Sequence, residues 1–205
     1  METGGEVHLL GGSYLTTWTV YSPGQAWSER WPNVRLGRTE ACAAVLGADL
    51  YLLGGQTIDS GGGVVSDCEK WDRVKQCWVR TRPMLTPRTR FSCVVLEEEL
   101  YVVGGEDEEG EAMRACEKFS PETGVWSRLA DMSQARRSPV TVVLEQVVFV
   151  VGGDTDTAEW YDEESQAWVQ TSHLPHILQG AGGGVLTTLP SAFITNDNDA
   201  NKIKL

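Results

Sequence analysis

Three eighteen-residue stretches align without a gap: RTEACAAVLGADLYLLGG (38–55), RTRFSCVVLEEELYVVGG (88–105) and RRSPVTVVLEQVVFVVGG (136–153). Each opens on an arginine (Arg38, Arg88 or Arg136) and closes on a glycine pair: Gly54 and Gly55, Gly104 and Gly105, Gly152 and Gly153. A fourth pair, Gly11 and Gly12, ends HLLGG at 8–12. The spacing from pair to pair is 50 and then 48 residues, so the chain is built from like modules rather than folded as one irregular unit.

A second half follows each pair. CEKWDRVKQCW (68–78), CEKFSPETGVW (116–126) and AEWYDEESQAW (158–168) align without gaps, and VYSPGQAW (20–27) joins them with a turn one residue shorter. An aromatic (Tyr21, Trp71, Phe119 or Tyr161) thus precedes a tryptophan (Trp27, Trp78, Trp126 or Trp168) by six or seven residues in all four. CVVLEEELYVV (93–103) reads as two strands around an acidic turn, and ACEKFSPETGVWSRL (115–129) as two more around Ser-Pro-Glu-Thr-Gly. Four short antiparallel strands cannot bury both faces alone, so each module must lean on its neighbours, as the blades of a β-propeller do.

The glycines raise a physical question, because glycine weakens a strand. They are expected where the second strand meets the backbone of a neighbouring blade, since no other residue allows that approach or that φ. The aromatics of the third and fourth strands are expected to be buried and to fill the space the glycines leave between blades.

Composition excludes several functions. With 17 basic and 29 acidic residues the net charge of −12 repels phosphate backbones and anionic lipid, so neither nucleic acid nor a membrane is an expected partner. No segment approaches the roughly 20 apolar residues of a membrane span, and METGGEVHLL has no signal-peptide pattern, so a cytoplasmic protein is expected. The five cysteines, Cys42, Cys68, Cys77, Cys93 and Cys116, form no CxxC pair and read as small core residues in a reducing compartment. There is no P-loop, GxGxxG, GxSxG or HExxH. His173 and His176 sit in SHLPHI without a nearby third ligand and read as loop residues, so neither a metal nor a cofactor is expected.

The glycine pairs, the downstream aromatic, the tryptophan and the arginine at the head of three repeats resemble the kelch repeat family, WYDEESQAW (160–168) most of all. The resemblance implies an all-β, kelch-type β-propeller of four-stranded antiparallel blades over residues 5–190. Its blades are expected at about 6–36 (partial), 37–83, 84–131 and 132–176, with a terminal strand at 180–189 and a polar tail at 191–205. Kelch propellers commonly have six blades. The chain therefore reads as a fragment or splice form of a larger propeller, with a closed four-bladed ring as the alternative.

The resemblance further implies a non-catalytic protein-interaction scaffold, similar to the substrate-recognising part of kelch-like adaptors of cullin-RING ubiquitin ligases. Cullin recruitment would then rest on BTB and BACK domains absent from this sequence. An actin-binding kelch protein is the alternative, and a copper oxidase or sugar mutarotase on the same fold a more distant one. In such adaptors the connection between blades lies on the rim that grips acidic peptides, which makes Arg90, Arg137 and Arg88 candidate contacts for a carboxylate. Recurrence of Arg88 as Arg38 and Arg136 favours a structural role for those three, bonding backbone carbonyls. The acidic run EDEEGE (106–111) reads as a solvated loop.

Overall fold

The computed structural model describes residues 34–57, 61–171 and 173–176, Gly24, and three strands nearer the N-terminus. Those three, β1 (Val7–Leu10), β2 (Trp18–Tyr21) and β3 (Ser28–Arg30), form an antiparallel sheet. A short ribbon pairs β4 (Arg38–Thr39) with β7 (Gln56–Thr57), flanking a second sheet whose first strands are β5 (Cys42–Leu46) and β6 (Asp49–Leu53). That sheet is completed by β8 (Cys68–Asp72) and β9 (Cys77–Arg80). The third sheet is β10 (Ser92–Leu96), β11 (Glu99–Val103), β12 (Cys116–Ser120) and β13 (Val125–Arg128). The fourth is β14 (Val140–Leu144), β15 (Val147–Val151), β16 (Ala158–Asp162) and β17 (Ala167–Gln170). Every pairing is antiparallel, the four larger sheets are simple meanders apart from the β4–β7 ribbon set beside the second, and no helix occurs among the described residues. Gly11, Gly12, Trp27, the terminal strand expected at 180–189 and the tail at 191–205 lie outside the described residues.

The first strands β5, β10 and β14 touch one another in series, which places them on the inner side of stacked sheets with β9, β13 and β17 outermost. Stacking explains why the second strands are apolar without alternation. In β11, Leu100 and Val102 pack toward the second sheet with Tyr51 and Leu53, while Tyr101 and Val103 pack toward the fourth with Val148 and Val150. Successive side chains point to opposite faces, so a strand buried on both faces needs apolar residues throughout. Its neighbour β6 repeats the arrangement, with Leu50 and Leu52 grouped with Val34 on the other face.

The aromatic pairs lie in register across the third and fourth strands, Trp71 opposite Trp78, Phe119 opposite Trp126 and Tyr161 opposite Trp168, with ring centroids 5.8, 5.2 and 5.3 Å apart. The Phe119 and Tyr161 pairs face the preceding blade, and the Trp71 pair packs with Val34, Leu50 and Leu52. Trp78 and Trp126 are buried and Trp168 is half-buried; the Trp126 indole N–H donates to the Arg82 carbonyl and that of Trp168 to the Ala130 carbonyl, both at 3.0 Å.

One turn is visibly suboptimal. The two-residue link from β10 to β11 holds Glu97 and Glu98 at φ of 49° and 59°, the left-handed conformation a type I′ hairpin turn requires and Asn-Gly adopts best. Replacing Glu97→Asn together with Glu98→Gly is expected to stabilise the fold by about 1 kcal/mol, raising the thermal midpoint by about 2–4 °C. Differential scanning calorimetry checks it.

Candidate functional site

The repeat arginine is the anchor of each blade. Arg88 is fully buried; its Nη1 donates to the carbonyls of Gly104 and Ala115, each at 2.8 Å, and its Nη2 pairs with Glu117 Oε1 at 2.6 Å. Arg136 does the same with Gly152 O (2.6 Å), Thr157 O (2.9 Å) and Glu159 (2.8 Å), and Arg38 with Gly54 O, Asp67 O and Glu69. The second oxygen of each glutamate accepts a backbone N–H from the segment leading into the blade: Arg35 at 3.0 Å, Leu85 at 2.7 Å and Ser133 at 2.8 Å. Each pair thus ties the lead-in segment, the glycine turn and the third strand together. Arg88 has no surface to offer a partner, so its candidacy as a rim contact is withdrawn.

The space beside the glycines is filled differently from the sequence expectation. A Cβ on Gly54 would lie 2.7 Å from both the Arg88 carbonyl and Met84 Cε and 2.8 Å from a Phe91 ring atom; one on Gly104 would lie 2.7 Å from the Arg136 carbonyl. The lead-in of the next blade occupies that space, not an indole. Gly55 N–H donates to Arg88 O and Gly105 N–H to Arg136 O, both at 2.9 Å, so the glycine makes room for a hydrogen bond between blades.

These bonds hold the heads of the repeats side by side. Glu40, Arg90 and Ser138 occupy one column of the alignment, share φ near 50° (54°, 50° and 49°), and form a chain in which Arg90 N–H donates to Glu40 O and Ser138 N–H to Arg90 O. On this platform Arg90, 43% exposed at its side chain, pairs with Glu40 at 2.7 Å and with Glu106 at 3.4 Å. Arg137, half-buried, pairs with the same Glu106 at 2.5 Å and with Asp154 at 3.7 Å, and donates to Gly110 O at 2.9 Å. Glu40 and Glu106 push the Arg90 pKa further up, the hydrogen bond to Glu40 most.

Three carboxylates therefore face two guanidiniums, which makes the platform neutral to acidic rather than basic. A bidentate grip by Arg90 on a partner's carboxylate, as the sequence reading has it, requires that partner to displace Glu40 or to use the remaining Nη2 edge. The acidic run also divides: Glu106 is buried at the centre of the charge pattern and bridges Thr89 and Ala112, whereas Glu108, Glu109 and Glu111 are exposed. In the sequence, three unlike segments follow the glycine pairs, the glycine-rich 56–66, the acidic 106–111 and the short 154–157, and the last two reach the platform through Glu106, Gly110 and Asp154.

His173 and His176 are both exposed, His173 lying 3.2 Å from Asp156, and no grouping of three metal-ligating side chains occurs among the described residues. The glutamates Glu69, Glu117 and Glu159 have no place in the sequence reading. Their signal was there: they occupy one column of the aligned second halves, next to the cysteine or alanine that opens the third strand.

Comparison with known proteins fits this geometry. The Kelch motif model matches residues 87–133. Kelch-like protein 26 of Danio rerio is 35% identical over 80 residues, 38% of this chain and 13% of the relative. Kelch-like protein 25 of Xenopus tropicalis is 31% identical over 106 residues, 51% of this chain and 18% of the relative. The aligned stretch is thus less than a fifth of these relatives' own length. The solved structure of YjhT superposes with a TM-score of 0.73 at 16% identity over 83% of this chain and 63% of that one, a likeness of fold alone. With glycine-ended second strands, paired aromatics and antiparallel four-stranded sheets, the chain carries a Kelch motif at residues 87–133 and is similar in sequence to kelch-like proteins.

Proposed function

We propose that the chain is a non-catalytic protein-interaction scaffold that holds a partner segment over the platform of Glu40, Arg90, Arg137 and Ser138. One observation carries this: blades built on one repeat, held together by the same buried pairs, carry unlike segments after their glycine pairs, two of which reach the platform. A rigid frame with variable loops is the usual way a repeat fold sets specificity for a partner. The kelch-like relatives support a role in protein binding. The finer reading is a cytosolic substrate receptor like those of kelch-like ubiquitin ligase adaptors, with cullin recruitment left to other domains.

Arg90 and Arg137 are the groups for a partner's carboxylate, in competition with Glu40 and Glu106. Exposed ion pairs contribute at most about 1 kcal/mol to folding, so Arg90→Ala is expected to leave the thermal midpoint within about 3 °C. It is expected to weaken partner binding about tenfold or more. Glu40→Gln, which removes the competing carboxylate, is expected to strengthen it. Quantitative affinity capture followed by titration with the recovered partner tests both. Equal binding by the wild type, Arg90→Ala and Glu40→Gln would sink the proposal.

A further inference from the structure

Where the innermost strands of neighbouring blades run side by side, the fifth residue of one repeat meets the sixth of the next. Between the third and fourth blades these are Ser92 and Thr141, whose hydroxyl oxygens lie 2.7 Å apart while Thr141 N–H donates to Ser92 Oγ at 3.1 Å. Between the second and third blades the same two positions hold Cys42 and Cys93, with Sγ atoms 2.7 Å apart. The Ala43 carbonyl lies 3.6 Å from Cys93 Sγ and is an alternative acceptor for its proton. A hydroxyl pair serves the packing in one interface, so thiols are not needed for the packing in the other. What thiols add is reactivity.

We propose that Cys42 and Cys93 form a redox site at which hydrogen peroxide converts two thiols into a disulfide between the second and third blades. Both residues are free and half-buried on the inner side of the sheets, within reach of a small oxidant. Cys42 is the attacking group, since its hydrogen bond with Cys93 holds its pKa below the ordinary thiol value, whereas that bond and burial push Cys93 up. The Cys42 thiolate attacks one peroxide oxygen; the O–O bond breaks, Cys42 becomes a sulfenic acid, and hydroxide leaves to be protonated to water. Cys93 sulfur then attacks Cys42 Sγ, the S–S bond forms, the S–O bond breaks, and the second oxygen leaves as water with the Cys93 proton. Two thiols lose two electrons and one peroxide becomes two waters. Cys68 and Cys116 stand apart, since burial raises both to about 12 and so withholds their thiolates.

The test treats the reduced chain with hydrogen peroxide, blocks remaining thiols with a maleimide, and maps peptides without reduction. The expected result is a Cys42–Cys93 linked peptide, loss of two of the five free thiols, and reversal by dithiothreitol. Cross-linking is expected to raise the thermal midpoint by on the order of 5 °C. Cys93→Ser is expected to stop at a Cys42 sulfenic acid that dimedone traps. Cys42→Ser with Cys93→Thr copies the neighbouring hydroxyl pair, keeps the fold, and is expected to show no rise in midpoint. Recovery of Cys42 and Cys93 as free thiols, or linked to other cysteines, overturns the proposal.

Discussion

Glu117→Ala is expected to cost the fold about 3–5 kcal/mol, a large share of the 5–15 kcal/mol that holds an ordinary domain together. The substitution leaves the Arg88 guanidinium fully buried without its counter-charge and strips an acceptor from the Leu85 N–H, which sits in the segment leading into the blade. Desolvating a charge is repaid only while its partner is present, so half a pair is worse than none. A double replacement, Arg88→Met with Glu117→Leu, is accordingly expected to regain part of the loss, although Gly104 O and Ala115 O would lose a donor. Equilibrium unfolding in urea measures all three variants. A loss below about 1 kcal/mol for Glu117→Ala would mean that the pair does not hold the blade.

Gly105→Ala is expected to cost about 3 kcal/mol or more, from two sources that a control can separate. Gly105 has φ of 106°, where an L side chain is strained, and a Cβ there would sit 2.5 Å from the Thr89 carbonyl and 2.8 Å from Phe91 Cβ. The strain accounts for about 1–3 kcal/mol and the forced backbone shift for a similar amount. Gly124 also has a positive φ, 65°, but a Cβ there meets nothing within 4 Å. Gly124→Ala is therefore expected to cost only about 1 kcal/mol. Thermal unfolding of the two variants compares them directly; equal losses would show that close approach between blades contributes nothing at Gly105.

Much of the fold is legible in the sequence because it is written several times. A glycine pair, an aromatic and a tryptophan recurring at fixed spacing announce a module too thin to stand alone, and LYVVGG announces a strand covered on both faces before a close approach. The recurrence of Arg38, Arg88 and Arg136 points to a structural role, which their hydrogen bonds to Gly54 O, Gly104 O and Gly152 O display. Their partners were harder to read. Glu69, Glu117 and Glu159 lie in strands where a charged residue ordinarily faces water, and only their shared column marks them as different. The atoms beside the glycines were misassigned because Met84 and Met132 lie in the lead-in segments, outside the stretches whose repetition is plain. The pairing of Cys42 with Cys93 is not legible in the alignment for a geometric reason: the innermost strands meet diagonally there, so the two thiols occupy adjacent columns rather than the same one. The neutralisation of Arg90 is the opposite case, since Glu40 shares its column one blade away and the ion pair runs straight across the alignment.

Amide hydrogen exchange followed residue by residue at Gly55, Gly105, Arg90 and Ser138 tests the stacking of blades most directly. Each of these N–H groups donates to a carbonyl of a neighbouring blade, at 2.9, 2.9, 3.1 and 2.8 Å. If the blades lend one another their backbone bonds, these four amides exchange as slowly as those in the middle of β6 and β11, although they lie in loops. Exchange at the rate of an unprotected loop, with β6 and β11 still protected, would show sheets that fold separately and merely lie near one another.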